Sequence, residues 1–103
     1  MAGTPLSTLA HVVRSKNAGP TQLTIDLFFN DALGYDRAAA SDSLSAEAVA
    51  ALYQCDAVQV QRYALPALLA MKFTLPRRIR AGDPGDGDVY GAQQHAPLLD
   101  VVV

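Results

Sequence analysis

A cluster of polar residues near the amino terminus has the composition of an anion-binding turn. Two cations, a hydroxyl, an amide and a glycine fall within one short segment, at Arg14, Ser15, Lys16, Asn17 and Gly19. Charge-assisted hydrogen bonds and oriented backbone N–H groups hold carboxylates and phosphates in such loops. We therefore predict that this segment binds a carboxylate or phosphate. The alternative is an ordinary turn whose two cations face water.

A second segment, residues 82–99, carries a histidine among carboxylates. His95 is one of two histidines in the chain, and Asp86, Asp88 and Tyr90 precede it. Imidazole titrates near neutral pH and serves as an acid or a base, so His95 and Tyr90 are the predicted catalytic residues. The alternative is a loop whose polar side chains satisfy buried backbone groups. Asp86, Asp88 and His95 match no familiar metal-ligand spacing, and neither a metal nor another cofactor is expected.

Other reactive side chains are interpreted as structural. His11 lies in an apolar strand pattern, which favours a structural histidine. Cys55 is the only cysteine, so an internal disulfide is excluded, and a buried free cysteine behaves as a small hydrophobe. Ser15 lacks the G-x-S-x-G context of a serine hydrolase.

Hydrophobic periodicity predicts the elements that must position these residues. Residues 21–29 (TQLTIDLFF) alternate with period two, which is typical of a half-buried strand. Further strands are predicted over residues 9–13, 58–65, 68–75 and 98–103, and helices over residues 31–40 and 45–54. In the second helix, Ser45 is the predicted N-cap, and Val49, Leu52 and Tyr53 form the predicted buried stripe.

Strands on both sides of a helical block indicate an α+β sandwich. Two helices would cover one face of a mostly antiparallel sheet, and the other face would be wet or covered by a partner. We expect a single domain over residues 1–103. A flexible loop is predicted at about residues 77–90, where glycine, proline and charged residues alternate.

Composition excludes several classes of function. The chain has 103 residues and a net charge of −2, which argues against nucleic-acid binding. Its apolar runs fall short of the roughly 20 residues of a membrane span. The amino terminus lacks the basic and apolar regions of a signal peptide, so a cytoplasmic protein is expected. An exposed sheet face favours a homo-oligomer, with a homodimer as the first expectation.

The two polar motifs resemble a known family. RSKNAGP at residues 14–20 and VYGAQQHAPLLD at residues 89–100 are similar to a domain-of-unknown-function family that is often encoded beside acyclic terpene utilisation (AtuA) proteins. The similarity extends from about residue 9 to residue 103. More distantly, residues 14–19, 65–73 and 97–100 are similar to the RSGDKG-type, LPNLRALNF-type and ALLD-type segments of the carboxyl-terminal domain of AtuA proteins. That resemblance implies a ferredoxin-like α+β fold.

The resemblance also implies a metabolic setting. The expected function is a small accessory subunit of a bacterial catabolic enzyme that acts on branched carboxylic acids or acyl-CoA, with a larger AtuA-like partner. Arg14 and Lys16 would bind the substrate anion, and His95 and Tyr90 would complete the site. The alternatives are a free-standing small lyase, hydratase or isomerase, active as a homo-oligomer, and a binding module without chemistry. Both catalytic hypotheses require the basic segment and His95 to meet in space.

Overall fold

The computed structural model describes residues 3–19, 21–77, 95–99 and 101–103. Within these residues the chain forms helices and strands in the order α-β-β-α-α-β-β. The helices are α1 (Leu6–Leu9), α2 (Ala32–Ala40) and α3 (Ala46–Tyr53). The strands are β1 (Ala10–Asn17), β2 (Gln22–Phe29), β3 (Gln61–Leu65) and β4 (Ala70–Pro76).

The four strands form one sheet in the order β1-β2-β4-β3, and every neighbouring pair is antiparallel. The register places Ser15 opposite Ile25, Ile25 opposite Phe73, and Phe73 opposite Arg62. Because side chains alternate along each strand, this row lies on one face, which we call the inner face. The next row, which contains Asp26 and its cross-strand partners, lies on the outer face.

The core lies between the inner face and the helices. The inner-face residues of β2 and β4 alternate as the sequence predicted, and the following are buried: Leu23, Ile25, Leu27, Phe29, Met71, Phe73 and Leu75. Thr24 and Ala70, on the outer face, are buried as well. The helices add Leu6, Tyr35, Ala38, Val49 and Ala50 to the same cluster. The predicted α+β sandwich is therefore confirmed, and its antiparallel sheet with helices on one face is consistent with a ferredoxin-like fold.

Both long helices begin at side-chain caps. The Gly34 N–H donates to the Asp31 carboxylate (2.8 Å), and the Ala48 N–H donates to the Ser45 hydroxyl (3.1 Å). The predicted stripe on α3 is wrong at Leu52, which is 40% exposed, because the buried side is formed by Val49 and Ala50. Val49 and Tyr53 contact the core as predicted, and Ala46 and Ala50 complete the core-facing side in place of Leu52.

Three strand predictions need correction. β1 continues to Asn17, so most of the predicted anion-binding turn is strand. Residues 57–59 form a 3-10 turn and Val58 is 90% exposed, so β3 begins three residues later than predicted. The final strand is wrong at its start, because Ala96–Leu98 is a 3-10 helix. Residues 101–103 do pair antiparallel with residues 4–6, through three backbone hydrogen bonds and a bridge between Pro5 and Val102, but they do not join the sheet. Buried Leu98 fixes this short segment against the core instead.

Arg62 joins the edge of the sheet to the helical layer. It lies on the inner face of β3, where its Nε donates to the Leu44 carbonyl (2.9 Å) and its Nη2 donates to the Ala39 carbonyl (2.8 Å). Both acceptors lie at the carboxyl ends of helical turns, which leave carbonyl groups without partners and carry partial negative charge. The Arg62 guanidinium therefore supplies hydrogen bonds to two helix-end carbonyl groups that would otherwise need water as a donor.

Replacement of Arg62 by alanine should destabilise the fold more than replacement of another arginine on the same sheet. We expect Arg62→Ala to lower the free energy of unfolding by about 2–3 kcal/mol, because two half-buried carbonyls lose a charged donor. Arg14→Ala, which removes an exposed ion pair, should cost less than about 1 kcal/mol. Urea unfolding of both variants measures the difference, and equal losses would contradict this role of Arg62.

Candidate functional site

The alternation of β1 divides the predicted anion-binding residues between two faces. Ser15 and Asn17 are in register with Ile25 and Leu23, so both lie on the inner face. Arg14 and Lys16 are exposed and lie on the outer face. A strand presents successive side chains to opposite sides. The two cations therefore do not share a side of the sheet with the hydroxyl and amide.

The structure brings Ser15 and His95 into contact. The backbone N–H of His95 donates to the Ser15 hydroxyl oxygen at 3.0 Å, and this oxygen lies 3.4 Å from His95 Nδ1. Ser15 is 7% exposed. Two contacts from one buried hydroxyl fix both the backbone and the ring of His95, and Leu98, which donates its N–H to the His95 carbonyl, anchors the segment from the core.

The contact with Ser15 sets the orientation of the His95 imidazole ring. The ring is half-buried, and Nδ1 faces Ser15. Nε2 lies on the far side of the ring, where general acid or base catalysis would use it. Since the Ser15 hydroxyl oxygen accepts the His95 backbone N–H and also faces Nδ1, it positions both the backbone and the ring of His95.

Arg14 has partners of its own on the outer face. Its Nε lies 3.3 Å from an Asp26 carboxylate oxygen, and its guanidinium carbon lies 5.2 Å from the centre of the Phe28 ring. Lys16 is exposed beside it. Part of the positive charge of this pair is thus compensated by Asp26, and neither cation reaches the side on which His95 lies.

Gly19 forms the turn between β1 and β2. Its φ of +125° lies in the region that side chains rarely adopt. The Ala18 N–H donates to the Gln22 carbonyl across the turn (3.0 Å). A Cβ at Gly19 would meet no atom within 4 Å, so the need for glycine here comes from backbone conformation and not from close packing.

Arg77 belongs to the inner face and was missed as a site residue. Its Nη1 donates to the Asn17 side-chain oxygen (2.9 Å), and its backbone N–H donates to the Thr21 carbonyl (2.9 Å). Its backbone pairing therefore continues that of β4 by one residue beyond Pro76, although Arg77 was predicted to begin a flexible loop. The signal was available, because the alternation of Met71, Phe73 and Leu75 leads to residue 77.

A cleft opens beside Arg77 at the carboxyl end of α3. Its volume is about 430 Å³. The described residues that line it are Tyr53, Gln54, Cys55, Asp56, Gln59, Pro76 and Arg77. Burial raises the pKa of the Tyr53 hydroxyl, and burial together with the Asp56 carboxylate raises the pKa of the Cys55 thiol. Both groups are therefore protonated near neutral pH.

The remaining sequence-predicted residues divide into two groups. Tyr90, Asp86, Asp88 and the rest of the predicted loop at residues 78–90 lie outside the described residues. His11 is exposed where the β1 register shifts, so its prediction as a structural histidine is wrong.

In the part of the chain that the structure describes, no three His, Cys, Asp or Glu residues come together as metal ligands. No helix described there is long and apolar enough to cross a membrane.

Removal of the Ser15 hydroxyl should loosen the His95 segment. We expect Ser15→Ala to cost about 1–2 kcal/mol of stability, because a buried backbone N–H loses its acceptor. Amide hydrogen exchange at His95 should accelerate at least tenfold. Ser43→Ala, at an exposed serine of the helical layer, is the matched control. Unchanged exchange at His95 in Ser15→Ala would show that the contact does not hold the segment.

The Cys55 thiol should react slowly at neutral pH. Because its pKa is raised above 9.0, the thiolate fraction at pH 7 is lower than in the unfolded chain, and the thiolate is the reactive form. Alkylation by iodoacetamide, followed by mass spectrometry across pH, should show an inflection above 9.0. Asp56→Asn should move the inflection down, whereas Asp42→Asn should not. An inflection below the ordinary value would contradict the burial of the thiol.

Comparison with known proteins gives one match. The model of a family described as Domain of unknown function (DUF4387) matches residues 6–102. No curated protein and no solved structure matches the chain. The matched range includes all the strands of the sheet, the Ser15–His95 contact and the Arg77 cleft. Because the match covers nearly the whole sequence, the chain belongs to the DUF4387 family.

Proposed function

We propose that the chain is a small accessory subunit of a bacterial catabolic enzyme, and that it works with a larger AtuA-like chain on branched carboxylic acids or acyl-CoA. The observation that carries the proposal is the outer face of the sheet, which bears cations and exposed apolar side chains while the helices pack on the inner face. The expected meeting of Arg14 and Lys16 with His95 within one copy is wrong, because His95 lies with Ser15 on the inner side and the two cations lie on the outer side. A shared site would therefore need the partner to supply the groups that bind the substrate anion near His95.

The outer face supports the docking of a partner. The helices pack their buried residues against the inner face, and the outer face carries an apolar row of Val12, Phe28, Ala70 and Leu65. Tyr63 and Leu65 are 45% and 38% exposed there. Exposed apolar side chains that share one face mark interaction sites more often than isolated ones do.

Charge on the outer face favours a partner or substrate with negative groups. Three cations (Arg14, Lys16 and Lys72) share this face with one carboxylate, Asp26. The chain as a whole has a net charge of −2, so the charge of these described residues is opposite in sign to that of the whole chain. Complementary charge across an interface orients the two proteins and excludes other partners. A phosphate of a CoA ester, held at the junction, would meet the same cations.

In this proposal the chain contributes a positioned histidine. The Ser15 hydroxyl holds His95 in one orientation, and Tyr90 remains the proposed second catalytic group. A base must lie within hydrogen-bond reach of the proton that it moves. The larger chain would supply the walls that exclude water, since a domain of this size encloses little volume by itself.

Co-expression with the AtuA-like chain tests the proposal. We expect the two chains to co-elute in size-exclusion chromatography and turnover of branched acyl-CoA or acid to require both. Leu65→Lys, on the outer face, should weaken the complex at least tenfold. Leu33→Lys is the matched control, because Leu33 is 81% exposed on α2.

Three outcomes would overturn the proposal. The chains elute separately and the large chain alone has full activity, or Leu33→Lys weakens the complex as much as Leu65→Lys does. The third is a stable homodimer of this chain that turns over the substrate alone, which would favour a free-standing enzyme.

A further inference from the structure

The two edge strands of the sheet differ in how well they resist pairing with another chain. β1 lies at one edge and β3 at the other. Natural proteins protect such edges with charged side chains and bulges, because the backbone of an edge strand is a template for a further strand. β1 has both protections, since Arg14 and Lys16 are exposed along it and its register shifts between Ala10 and Val12. β1 is therefore a poor template.

β3 lacks these protections. Its residues Gln61–Leu65 pair one to one with β4, and in the part of the chain that the structure describes β4 is its only neighbour in the sheet. Four of its five residues are exposed, and all four are uncharged. Its one charged side chain, Arg62, is bonded to the Leu44 and Ala39 carbonyls of the helical layer. β3 therefore offers a regular and uncharged edge.

Exposed apolar side chains mark both ends of β3. Val58, in the 3-10 turn before the strand, is 90% exposed, and Leu68, in the 3-10 turn after it, is 64% exposed. Tyr63 and Leu65 are exposed between them. Apolar side chains clustered along one edge mark an interaction site more often than scattered ones do. The cluster therefore favours a protein partner at this edge.

The positions of these residues fit a second copy of the same strand. In an antiparallel pair related by a two-fold axis, each residue faces the one at the same distance on the other side of the central residue. Val58 and Leu68 lie five positions before and five positions after Tyr63. With Tyr63 at the axis, Val58 of one copy would lie beside Leu68 of the second copy, at both ends of the strand pair.

Charge selects this arrangement among the alternatives. An axis at Arg62 would place two guanidinium groups directly opposite each other, and like charges in that position are unfavourable. An axis at Tyr63 places Arg62 opposite Ala64 and pairs all five residues of β3. Three cations and one carboxylate share the outer face, so that face would repel an identical face. The edge therefore suits a second copy better than the outer face does.

We propose that β3 is a homodimer interface, in which two copies of this chain pair antiparallel about a two-fold axis at Tyr63 and join their sheets into one. This inference goes beyond the proposed function. An axis perpendicular to the sheet places the helices of both copies on one side and both outer faces on the other. The dimer therefore leaves the outer faces open to the larger partner.

Sedimentation velocity of the full chain over a range of concentrations tests the interface. We expect a dimer whose dissociation constant rises at least tenfold when Val58→Lys and Leu68→Lys are combined, because the new ammonium groups would face one another across the axis. Val58→Asp combined with Leu68→Lys places opposite charges at the same two positions. This variant should dimerise at least tenfold more tightly than the double lysine variant. Leu33→Lys, at an exposed position on α2, should leave the dissociation constant unchanged.

Disulfide cross-linking tests the position of the axis. Facing Cα atoms in an antiparallel pair lie about 4.5–5.5 Å apart, which is within the range of a disulfide. In a Cys55→Ala background, Tyr63→Cys should form a covalent dimer under mild oxidation. Leu33→Cys in the same background should not, because α2 lies away from the proposed interface.

Four outcomes would overturn the proposed dimer. The chain stays monomeric at every concentration tested, the two double variants dimerise equally, Leu33→Lys weakens the dimer as much as the double lysine variant does, or Tyr63→Cys forms no cross-link. Leu68→Lys should weaken the dimer and leave co-elution with the larger chain intact, so failure of the dimer and failure of the proposed function are separate results. A monomer whose co-elution with the larger chain depends on Leu68 would assign the edge to that partner and also overturn the dimer.

Discussion

The two-residue period of β1 is the constraint on which every functional group depends. Ser15 points inward, where burial makes its hydroxyl an obligatory partner for the His95 segment. Arg14 and Lys16 must then point outward. A shift of one residue would exchange these two sets, because each position along a strand changes face. The buried side chains of β2 and β4 disfavour that shift, since it would turn Arg14 and Lys16 toward an apolar core.

The asymmetry between the two faces follows from the same constraint. Apolar rows on the inner face require a cover, which α2, α3 and the segment with Leu98 provide. Arg62 extends this cover to the edge strand by satisfying two helix-end carbonyls. The outer face mixes cations, a carboxylate and apolar side chains. A face of this composition tolerates water but also suits a protein partner.

The candidate site shows where prediction from the sequence succeeded and where it did not. Ser15 and His95 lie 80 residues apart, and both were named because their types and neighbours suggest chemistry. Arg14, Ser15 and Lys16 were expected to act together because they are neighbours in the chain, and the hypothesis was that all of them meet His95. Proximity along a strand does not give proximity in space to a third group, because neighbours face opposite ways. Arg77 was overlooked for the converse reason, since a charged residue before a glycine-rich stretch looks like part of a loop.

The sequence alone determined the sandwich class, the alternation of β2 and β4 and the cap at Ser45, because periodicity and capping are local properties of the chain. The tertiary structure alone decided the length of β1, the 3-10 helix at Ala96–Leu98 and the contact partners of each polar residue. Leu98 illustrates the reason. Its apolar neighbours predict a strand, but the sequence pattern does not show whether Leu98 pairs in the sheet or packs in the core from a 3-10 helix. In the structure it packs in the core. Which face a residue shares is a property of strand register, and register is fixed by partners that are distant in the chain.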